Sequence, residues 1–180
     1  MRLLHPKKYY FISNFDQNIE NKLKKYNNIG IIYKPKDHKN PKLLKKIFRS
    51  NLTNKIYLNS VIKYSPSLKI QGIYLPSSNK NILYNCNLFR FRYLILGSAH
   101  NLKEIFQKIR AGCDIIFLSN IYKTSSHPDK KNSIGLLRFL NIKNQIKNAS
   151  IYALGGVTKK KYSSLNCIIK NFGYGGISSF

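Results

Sequence analysis

The sequence predicts an α/β protein built as a short (β/α)8 TIM barrel with reduced helices. Short apolar or β-branched runs recur eight times along the 180 residues, and most are separated by segments with the apolar spacing of a helix. The run at 115–118 is apolar throughout, which is typical of a parallel strand covered on both faces. Eight strands favour a closed barrel, and a doubly wound open sheet is the alternative that this alternation leaves open.

Five strands are predicted in the first part of the chain, and their connections are uneven. We place these strands at 9–13, 29–33, 55–59, 70–75 and 93–96. A charged helix is predicted over 17–26, and Pro41 begins a second helix with an apolar face. The segment 61–68 is broken by Pro66 and predicts a weak helix at best, and 81–89 predicts a poor connector. Such barrels usually need about 200–250 residues, so we expect shrunken third and fourth helices and no eighth helix.

The second part of the chain carries clearer start and stop signals. Asn101 can cap a helix, with Glu104 at the third position after the cap, and Gly112 can end it. The elements that follow are predicted as a strand at 115–118, a long loop at 119–133, a helix over 136–146, a strand at 150–154, a basic helix over 159–170 capped by Thr158, and a strand at 174–178.

Composition indicates one domain spanning residues 1–180, with an unusually high positive charge. A hydrophobic content of 43% is enough for a core, whereas 32 Lys and Arg against 6 Asp and Glu give a net charge of +26. Such a charge suggests anionic partners, and a basic nucleic-acid-binding barrel is therefore one alternative function. The lysines are spread over the whole chain without an RNA-binding motif, and the abundance of Asn, Ile, Tyr and Lys is typical of an AT-rich genome. We therefore do not expect a nucleic-acid partner.

The cysteines and the apolar segments indicate a cytoplasmic protein. The three cysteines, Cys86, Cys113 and Cys167, are widely spaced and are expected to be ordinary thiols in a reducing compartment. No run approaches the roughly 18 apolar residues that a membrane helix needs, and the first residues lack the apolar core of a signal peptide. We expect no membrane association.

Glycine- or serine-marked turns follow several of the apolar runs in the second half. They lie at 96–100, 119–128, 153–158 and 173–178. Ligands bind at the carboxyl ends of the strands in β/α proteins, so these turns predict a ligand site assembled from several strand ends. Gly155-Gly156 lies between a strand and a helix N-terminus, which is a geometry suited to a phosphate group.

In this order, the turns resemble those of the thiamine phosphate synthase family, which includes a thiazole tautomerase branch. The resemblance is carried by Gly97-Ser98-Ala99-His100 (the family's G-x-S-x-H, shortened by one residue), Ala111-Gly112-Cys113-Asp114-Ile115 (A-G-A-D-Y), Thr124-Ser125-Ser126-His127-Pro128 (a T-x-S-H-P subgroup) and Ala153-Leu154-Gly155-Gly156-Val157 (A-I-G-G-I). The first half matches less closely. The family is a (β/α)8 barrel, which favours the closed barrel over the open sheet.

The resemblance implies a transferase of thiamine biosynthesis. A synthase couples a hydroxymethylpyrimidine diphosphate to a thiazole phosphate and releases pyrophosphate. It implies that Lys34 and Lys36 hold the diphosphate, that Asn59 holds the pyrimidine, and that His127 assists the leaving group, with Lys36 and His127 as the catalytic candidates. The remaining substrate-binding candidates that it implies are Ser98, Thr124, Ser126, Gly155, Gly156, Ile177 and Ser178.

The chain departs from the family pattern where negative charge must be balanced. Ser60 and Asn79 stand at the two positions where the family holds Mg²⁺ with aspartates, and neutral oxygens replace carboxylates only weakly around this cation. Mg²⁺ thus remains a possible cofactor whose ligands are lost. Lys34 replaces an arginine and His127 a lysine, which thins the positive charge further. A catalytically weakened phosphate-ligand binder is therefore an alternative.

A thiazole tautomerase is the other alternative that keeps the fold, because it needs a phosphate site but no diphosphate or metal site. The position of the histidine argues against it, since the tautomerase branch carries its histidine where Asn120 lies here. The sequence leaves the oligomeric state open.

Overall fold

Eight parallel strands close into a barrel in the computed structural model, which describes residues 5–35, 41–50, 55–59, 69–78, 92–124 and 133–176. The strands are β1 (Lys8–Ile12), β2 (Gly30–Tyr33), β3 (Lys55–Asn59), β4 (Gly72–Leu75), β5 (Leu94–Ala99), β6 (Ile115–Ser119), β7 (Ser150–Leu154) and β8 (Tyr174–Gly176). Each strand pairs with the next in the chain, and β8 pairs with β1 through Tyr9 and Gly175. The predicted (β/α)8 barrel is confirmed, and the open sheet is excluded.

Five helices lie outside the barrel in the described residues. They are α1 (Gln17–Lys24), α2 (Pro41–Arg49), α3 (Leu102–Arg110), α4 (Leu136–Gln145) and α5 (Lys159–Ile168). Each begins within a residue of its predicted start, while α1 and α5 end two residues earlier than predicted. The predicted weak helix at 61–68 and the connector at 81–89 fall outside the described residues.

The turn predicted at 96–100 is wrong, because β5 continues through it to Ala99. Gly97 pairs with Ile116, Ser98 with Phe117 and Ala99 with Leu118, so the neighbouring strand extends the ladder past the glycine. A Gly-Ser dipeptide favours a turn locally, but pairing with a strand distant in sequence outweighs that preference. Ser98 is consequently a strand residue with an inward-facing side chain.

The helix α3 begins with the predicted capping arrangement. The Asn101 side chain accepts a hydrogen bond from Glu104 N at 2.9 Å and donates one to a Glu104 carboxylate oxygen at 2.9 Å. The second oxygen of Glu104 accepts from His100 N at 2.8 Å. A reciprocal cap of this kind satisfies amide groups that the first helical turn leaves without partners. It therefore fixes where the backbone leaves β5 at His100.

Aromatic rings fill the interior of the barrel. The Tyr9 ring on β1 lies edge-on to Phe117 on β6 with centroids 5.1 Å apart, and the Phe11 ring meets Phe117 at 5.4 Å. The strands β1 and β6 are not neighbours in the sheet, so these rings meet across the interior. Edge-to-face aromatic pairs add about 0.5–1.5 kcal/mol to the effect of burial. The full interior cluster is Tyr9, Phe11, Ile32, Tyr57, Tyr74, Leu96, Ile115, Phe117 and Tyr152.

Inward-facing glycines provide the space for these rings. A Cβ atom at Gly30 would meet the Tyr9 ring, and one at Gly173 would meet the Tyr152 ring. A Cβ at Gly175 would lie 2.7 Å from Phe11 Cε2 and 3.2 Å from the Phe117 ring. Large and small residues thus alternate around the interior, as close packing of a narrow barrel requires.

No helix in the described ranges is long and apolar enough to cross a membrane. The two cysteines in those ranges are free thiols, of which Cys113 is buried and Cys167 is exposed.

The pairing of rings with glycines predicts two different outcomes for substitution by alanine. Gly175→Ala should lower the free energy of unfolding by about 1–3 kcal/mol because it overpacks the interior. Phe11→Leu should relieve part of that loss in the double variant, since the obstructing atom belongs to a side chain. Urea denaturation of the single and double variants measures this coupling.

Gly72→Ala serves as the contrasting variant. A Cβ at Gly72 would meet the backbone carbonyl of Leu94 as well as the Tyr57 ring, so Tyr57→Leu should give no comparable relief. Equal relief in both pairs, or none in either, would contradict this account of the interior.

Candidate active site at the carboxyl end of the barrel

Six of the predicted site residues meet at one end of the barrel. Lys34 follows β2, Asn59 ends β3, Ser98 lies near the end of β5, Thr124 lies in the loop after β6, and Gly155-Gly156 follows β7. All the strands are parallel, so their carboxyl ends form a single mouth. The structure thus brings these residues to the same end of the molecule.

The other predicted site residues lie outside the described residues. They are Lys36, Ser60, Asn79, Ser126, His127, Ile177 and Ser178. Their roles stay predictions.

The inward face of the strands changes from aromatic to polar at the mouth. Side chains alternate along a strand, so Asn59 lies on the same face as Tyr57, and Ser119 on the same face as Phe117. Asn59, Ser98 and Ser119 are all buried, with 4%, 5% and 6% of their surface exposed. Short polar side chains on β3, β5 and β6 therefore lie over part of the aromatic interior.

The Gly155-Gly156 turn has a backbone conformation that favours glycine and lies just before a helix N-terminus. Both glycines have positive φ, at 90° and 69°, which glycine adopts without steric cost. The helix α5 begins just beyond them, and the Thr158 side chain caps it by accepting from Lys161 N at 3.3 Å. Amide groups in such a turn, together with the positive end of a helix dipole, favour an anion.

The loop after β6 packs directly on this turn. Ile121 N donates to Leu154 O at 3.0 Å, and Tyr122 N donates to Gly155 O at 3.1 Å. A Cβ at Gly155 would lie 3.2 Å from Thr124 Cγ2. The buried Thr124 hydroxyl has no hydrogen-bond partner within the described part of the chain. It is therefore available to a ligand bound beside the glycines.

Lys161 adds a positive charge at this turn that sequence reasoning did not assign to the site. Its ammonium donates to Gly156 O at 3.3 Å and lies 4.1 Å above the centre of the Tyr122 ring. Cation–π contact and the hydrogen bond together hold the charge against the turn. Its position three residues after the Thr158 cap, in the first turn of a helix, is the signal that could have identified it.

Asn59 presents a second buried polar group without a partner. Its Oδ1 atom makes no hydrogen bond to any described residue. A buried acceptor left without a donor costs about 1–3 kcal/mol, so such a group at a barrel mouth suggests a ligand that supplies the donor. An amino group on a heteroaromatic ring would satisfy it.

Ser98 is held by its neighbours on both sides. Its Oγ accepts from the Tyr74 hydroxyl at 2.9 Å and from Ser77 N at 3.0 Å. Burial raises the pKa of Tyr74 to about 12. The Tyr74 phenol therefore remains protonated at neutral pH and keeps its hydrogen to donate.

His100 links the ends of β4 and β6 across β5. Its Nε2 lies 3.2 Å from Ser77 Oγ, and its Nδ1 lies 3.0 Å from Ser119 Oγ and 3.1 Å from Ser119 O. Sequence reasoning assigned it no role in the site. Side chains alternate along a strand, so His100, two residues beyond the inward-facing Ser98, lies on the same face. This spacing is the sequence signal that could have placed His100 in the site.

The described carboxylates are engaged in structural contacts. Asp16 caps α1, Glu20 forms an ion pair with Lys24 at 2.7 Å, and Glu104 caps α3. Asp114 accepts a hydrogen bond from Ile95 N at 2.9 Å. Within the described ranges no three His, Cys, Asp or Glu side chains are grouped as they would be around a metal ion. Lys161 is the cation placed against the glycine turn.

We predict that Gly156→Ala disrupts the Gly155-Gly156 turn and weakens the binding of a phosphate there. A Cβ there would lie 2.6 Å from Tyr122 Cβ and 2.7 Å from Lys123 O, which pushes the loop off the turn. Loss of one hydrogen bond to a charged group weakens binding by about 10–100-fold. Calorimetric titration with a thiazole phosphate measures the effect.

Gly135→Ala is the matched control for this substitution. Gly135 also has positive φ, at 78°, but has open space around its Cβ position. It carries the same backbone strain without the collision. Equal affinity losses in the two variants would contradict the proposed role of the turn.

Comparisons with known proteins agree with this architecture. Residues 38–176 match the thiamine monophosphate synthase family. A putative thiamine-phosphate synthase 2 of Aquifex aeolicus is 31% identical over 129 residues, which cover 69% of this chain and 65% of the relative. A thiamine-phosphate synthase of Bacteroides thetaiotaomicron is 24% identical over 109 residues, which cover 58% of this chain and 52% of the relative. The match thus spans less than two thirds of each relative's length.

A solved structure shares the fold at low sequence identity. The thiamine phosphate pyrophosphorylase from Pyrococcus furiosus superposes with a TM-score of 0.69 and 13% identity, covering 95% of this chain and 84% of that one. At this identity, the likeness concerns the barrel alone. The match of residues 38–176 extends over more than half of the 180 residues, and the chain belongs to the thiamine monophosphate synthase family.

Proposed function

We propose that this protein is a thiamine phosphate synthase. The reaction joins a hydroxymethylpyrimidine diphosphate to a thiazole phosphate. The thiazole nitrogen attacks the methylene carbon of the pyrimidine, the bond from that carbon to the diphosphate oxygen breaks, and pyrophosphate leaves with the bonding electrons. The observation that carries the proposal is the contact between the Thr124 loop and the Gly155-Gly156 turn in a chain of this family.

The phosphate of the thiazole would bind between that loop and the turn. The unpartnered Thr124 hydroxyl lies on one side, and the positive-φ glycines with the N-terminus of α5 lie on the other. Lys161 would balance part of the charge of a phosphate monoester dianion. Ser126, Ile177 and Ser178 remain proposed contacts on the basis of the family resemblance.

The pyrimidine would bind over the barrel centre near Asn59. The partnerless Oδ1 of Asn59 is an acceptor for the amino group of an aminopyrimidine ring. The aromatic layer that includes Tyr57 and Phe117 lies beneath it and offers an apolar floor. The two substrates would then meet above this floor, where proximity alone contributes much of the rate.

The diphosphate would be held on the side of β2. Lys34 extends from the end of that strand and is exposed, and its backbone N–H continues the ladder by donating to Ile12 O at 2.8 Å. Cationic side chains stabilise a pyrophosphate leaving group as its charge develops. Lys36 and His127 are proposed to take part in this step, with His127 assisting the leaving group.

Among the described residues, no carboxylates are grouped as a site for Mg²⁺. Ser60 and Asn79 offer neutral oxygens at the positions of the family's aspartates, and the described carboxylates are engaged elsewhere. Mg²⁺ prefers carboxylates and phosphate oxygens as ligands. We therefore propose that lysines carry most of the charge balance, which implies slower turnover than carboxylate-bearing relatives achieve.

The function is tested by incubating the protein with both substrates and Mg²⁺ and measuring thiamine phosphate and pyrophosphate. We expect equal amounts of the two products, with none when either substrate is omitted. Thr124→Val, which keeps the shape and removes the hydroxyl, should raise the KM for the thiazole phosphate by about 10-fold. The absence of product above background at high protein concentration would end the synthase proposal.

A further inference from the structure

The hydrogen-bond partners of Ser98 determine which way its hydroxyl points. A serine oxygen has two lone pairs and one hydrogen. Both lone pairs are used, by the Tyr74 hydroxyl at 2.9 Å and by Ser77 N at 3.0 Å. No further partner for Ser98 is found among the described residues. Its hydrogen is thus left to donate toward the mouth of the barrel.

The direction of the bond between Tyr74 and Ser98 follows from burial. Tyr74 is 3% exposed, and among the described residues its hydroxyl has no other acceptor. If Ser98 donated instead, the phenol hydrogen would be buried without a partner, at a cost of about 1–3 kcal/mol. Ser98 lies nearer the mouth, where a ligand or water can accept its hydrogen. The arrangement with Tyr74 as donor is therefore the more stable one.

His100 joins the ends of β4 and β6 through its two ring nitrogens. Its Nδ1 lies 3.0 Å from Ser119 Oγ and 3.1 Å from Ser119 O, and its Nε2 lies 3.2 Å from Ser77 Oγ. A serine hydroxyl can donate or accept, so the ring can bond to both serines in either tautomer. The Ser77 side chain is thereby fixed, and its backbone N–H remains directed at Ser98.

We propose that Tyr74, Ser77 and His100 are positioning residues that hold the Ser98 hydroxyl as a hydrogen-bond donor to a phosphoryl oxygen of the bound substrate. The proposal deepens the synthase function proposed above and rests on it for the identity of the ligand. Holding the Ser98 hydroxyl in place in advance strengthens its effect, because such a donor does not have to reorient when negative charge develops on the substrate.

The affinity of the full-length protein for phosphoryl ligands tests the proposal without requiring turnover. Inorganic pyrophosphate and a thiazole phosphate are titrated separately by calorimetry, which distinguishes the two sources of the phosphoryl oxygen. Ser98→Ala should weaken the binding of at least one ligand by about 10–100-fold, as expected for a hydrogen bond to a charged group. Ser98→Thr keeps the donor and should stay within about threefold of the original affinity.

Tyr74→Phe should weaken the same ligand by about 3–10-fold through Ser98. The matched control is Tyr152→Phe, which removes a buried phenol that donates to Pro6 O at 3.3 Å at the opposite end of the barrel. Both variants lose a buried hydroxyl, so thermal melts control for stability. Because Tyr74 acts through Ser98, the Ser98→Ala/Tyr74→Phe double variant should bind no more weakly than Ser98→Ala.

Two substitutions of His100 test its part in positioning Ser98. Glutamine places its amide near the Nε2 position and can still form a hydrogen bond with the Ser77 hydroxyl, whereas asparagine reaches only the Nδ1 side. His100→Gln should therefore retain more affinity than His100→Asn.

The outcomes separate this proposal from the synthase function. The proposal would be overturned by unchanged affinity in Ser98→Ala or by no binding of either ligand. It would also be overturned by equal effects of Tyr74→Phe and Tyr152→Phe, by additive losses in the double variant, or by equal affinities of His100→Gln and His100→Asn. Binding that weakens as expected in a protein that forms no thiamine phosphate would uphold it and remove the synthase function instead.

Discussion

Packing inside the barrel is the constraint on which the rest of the structure depends. Six aromatic rings point inward, and they fit because the facing positions on neighbouring strands are glycines, as at Gly30 beside Tyr9 and at Gly175 beside Phe11 and Phe117. This pattern fills the barrel with apolar rings and leaves a floor beneath the mouth. The buried polar side chains Asn59, Ser98 and Ser119 are therefore supported from below by close-packed atoms.

The candidate active site is built on top of this packed interior. On β3, β5 and β6 the inward residues nearest the mouth are short and polar, namely Asn59, Ser98 and Ser119. The Oδ1 atom of Asn59 and the hydroxyl hydrogen of Ser98 are hydrogen-bonding groups that the described residues leave unused. On the other side the loop after β6 lies against Gly155 and Gly156, where a Cβ at Gly156 would collide with Tyr122 and with the Lys123 carbonyl. The mouth thus offers a glycine turn before a helix N-terminus, a donor and a buried acceptor, held by three different parts of the chain.

Much of the fold could be predicted from the sequence because its signals are local. The cap formed by Asn101 and Glu104 lies within four residues, and the strands are continuous apolar runs. The turn predicted at Gly97-Ser98 is wrong, since these residues pair with Ile116 and Phe117, which lie about 20 positions away in the sequence. The contact of His100 with Ser77 and the packing of Phe11 against Gly175 depend on strand register, which spacing along the chain does not reveal.

A crystal structure of the protein soaked with a thiazole phosphate tests the central claim most directly. We expect the phosphate to lie against the backbone N–H groups of Gly155 and Gly156, with the Thr124 hydroxyl within hydrogen-bond distance of one of its oxygens. A phosphate bound elsewhere on the protein, or a mouth that stays free of ligand at saturating concentration, would contradict it.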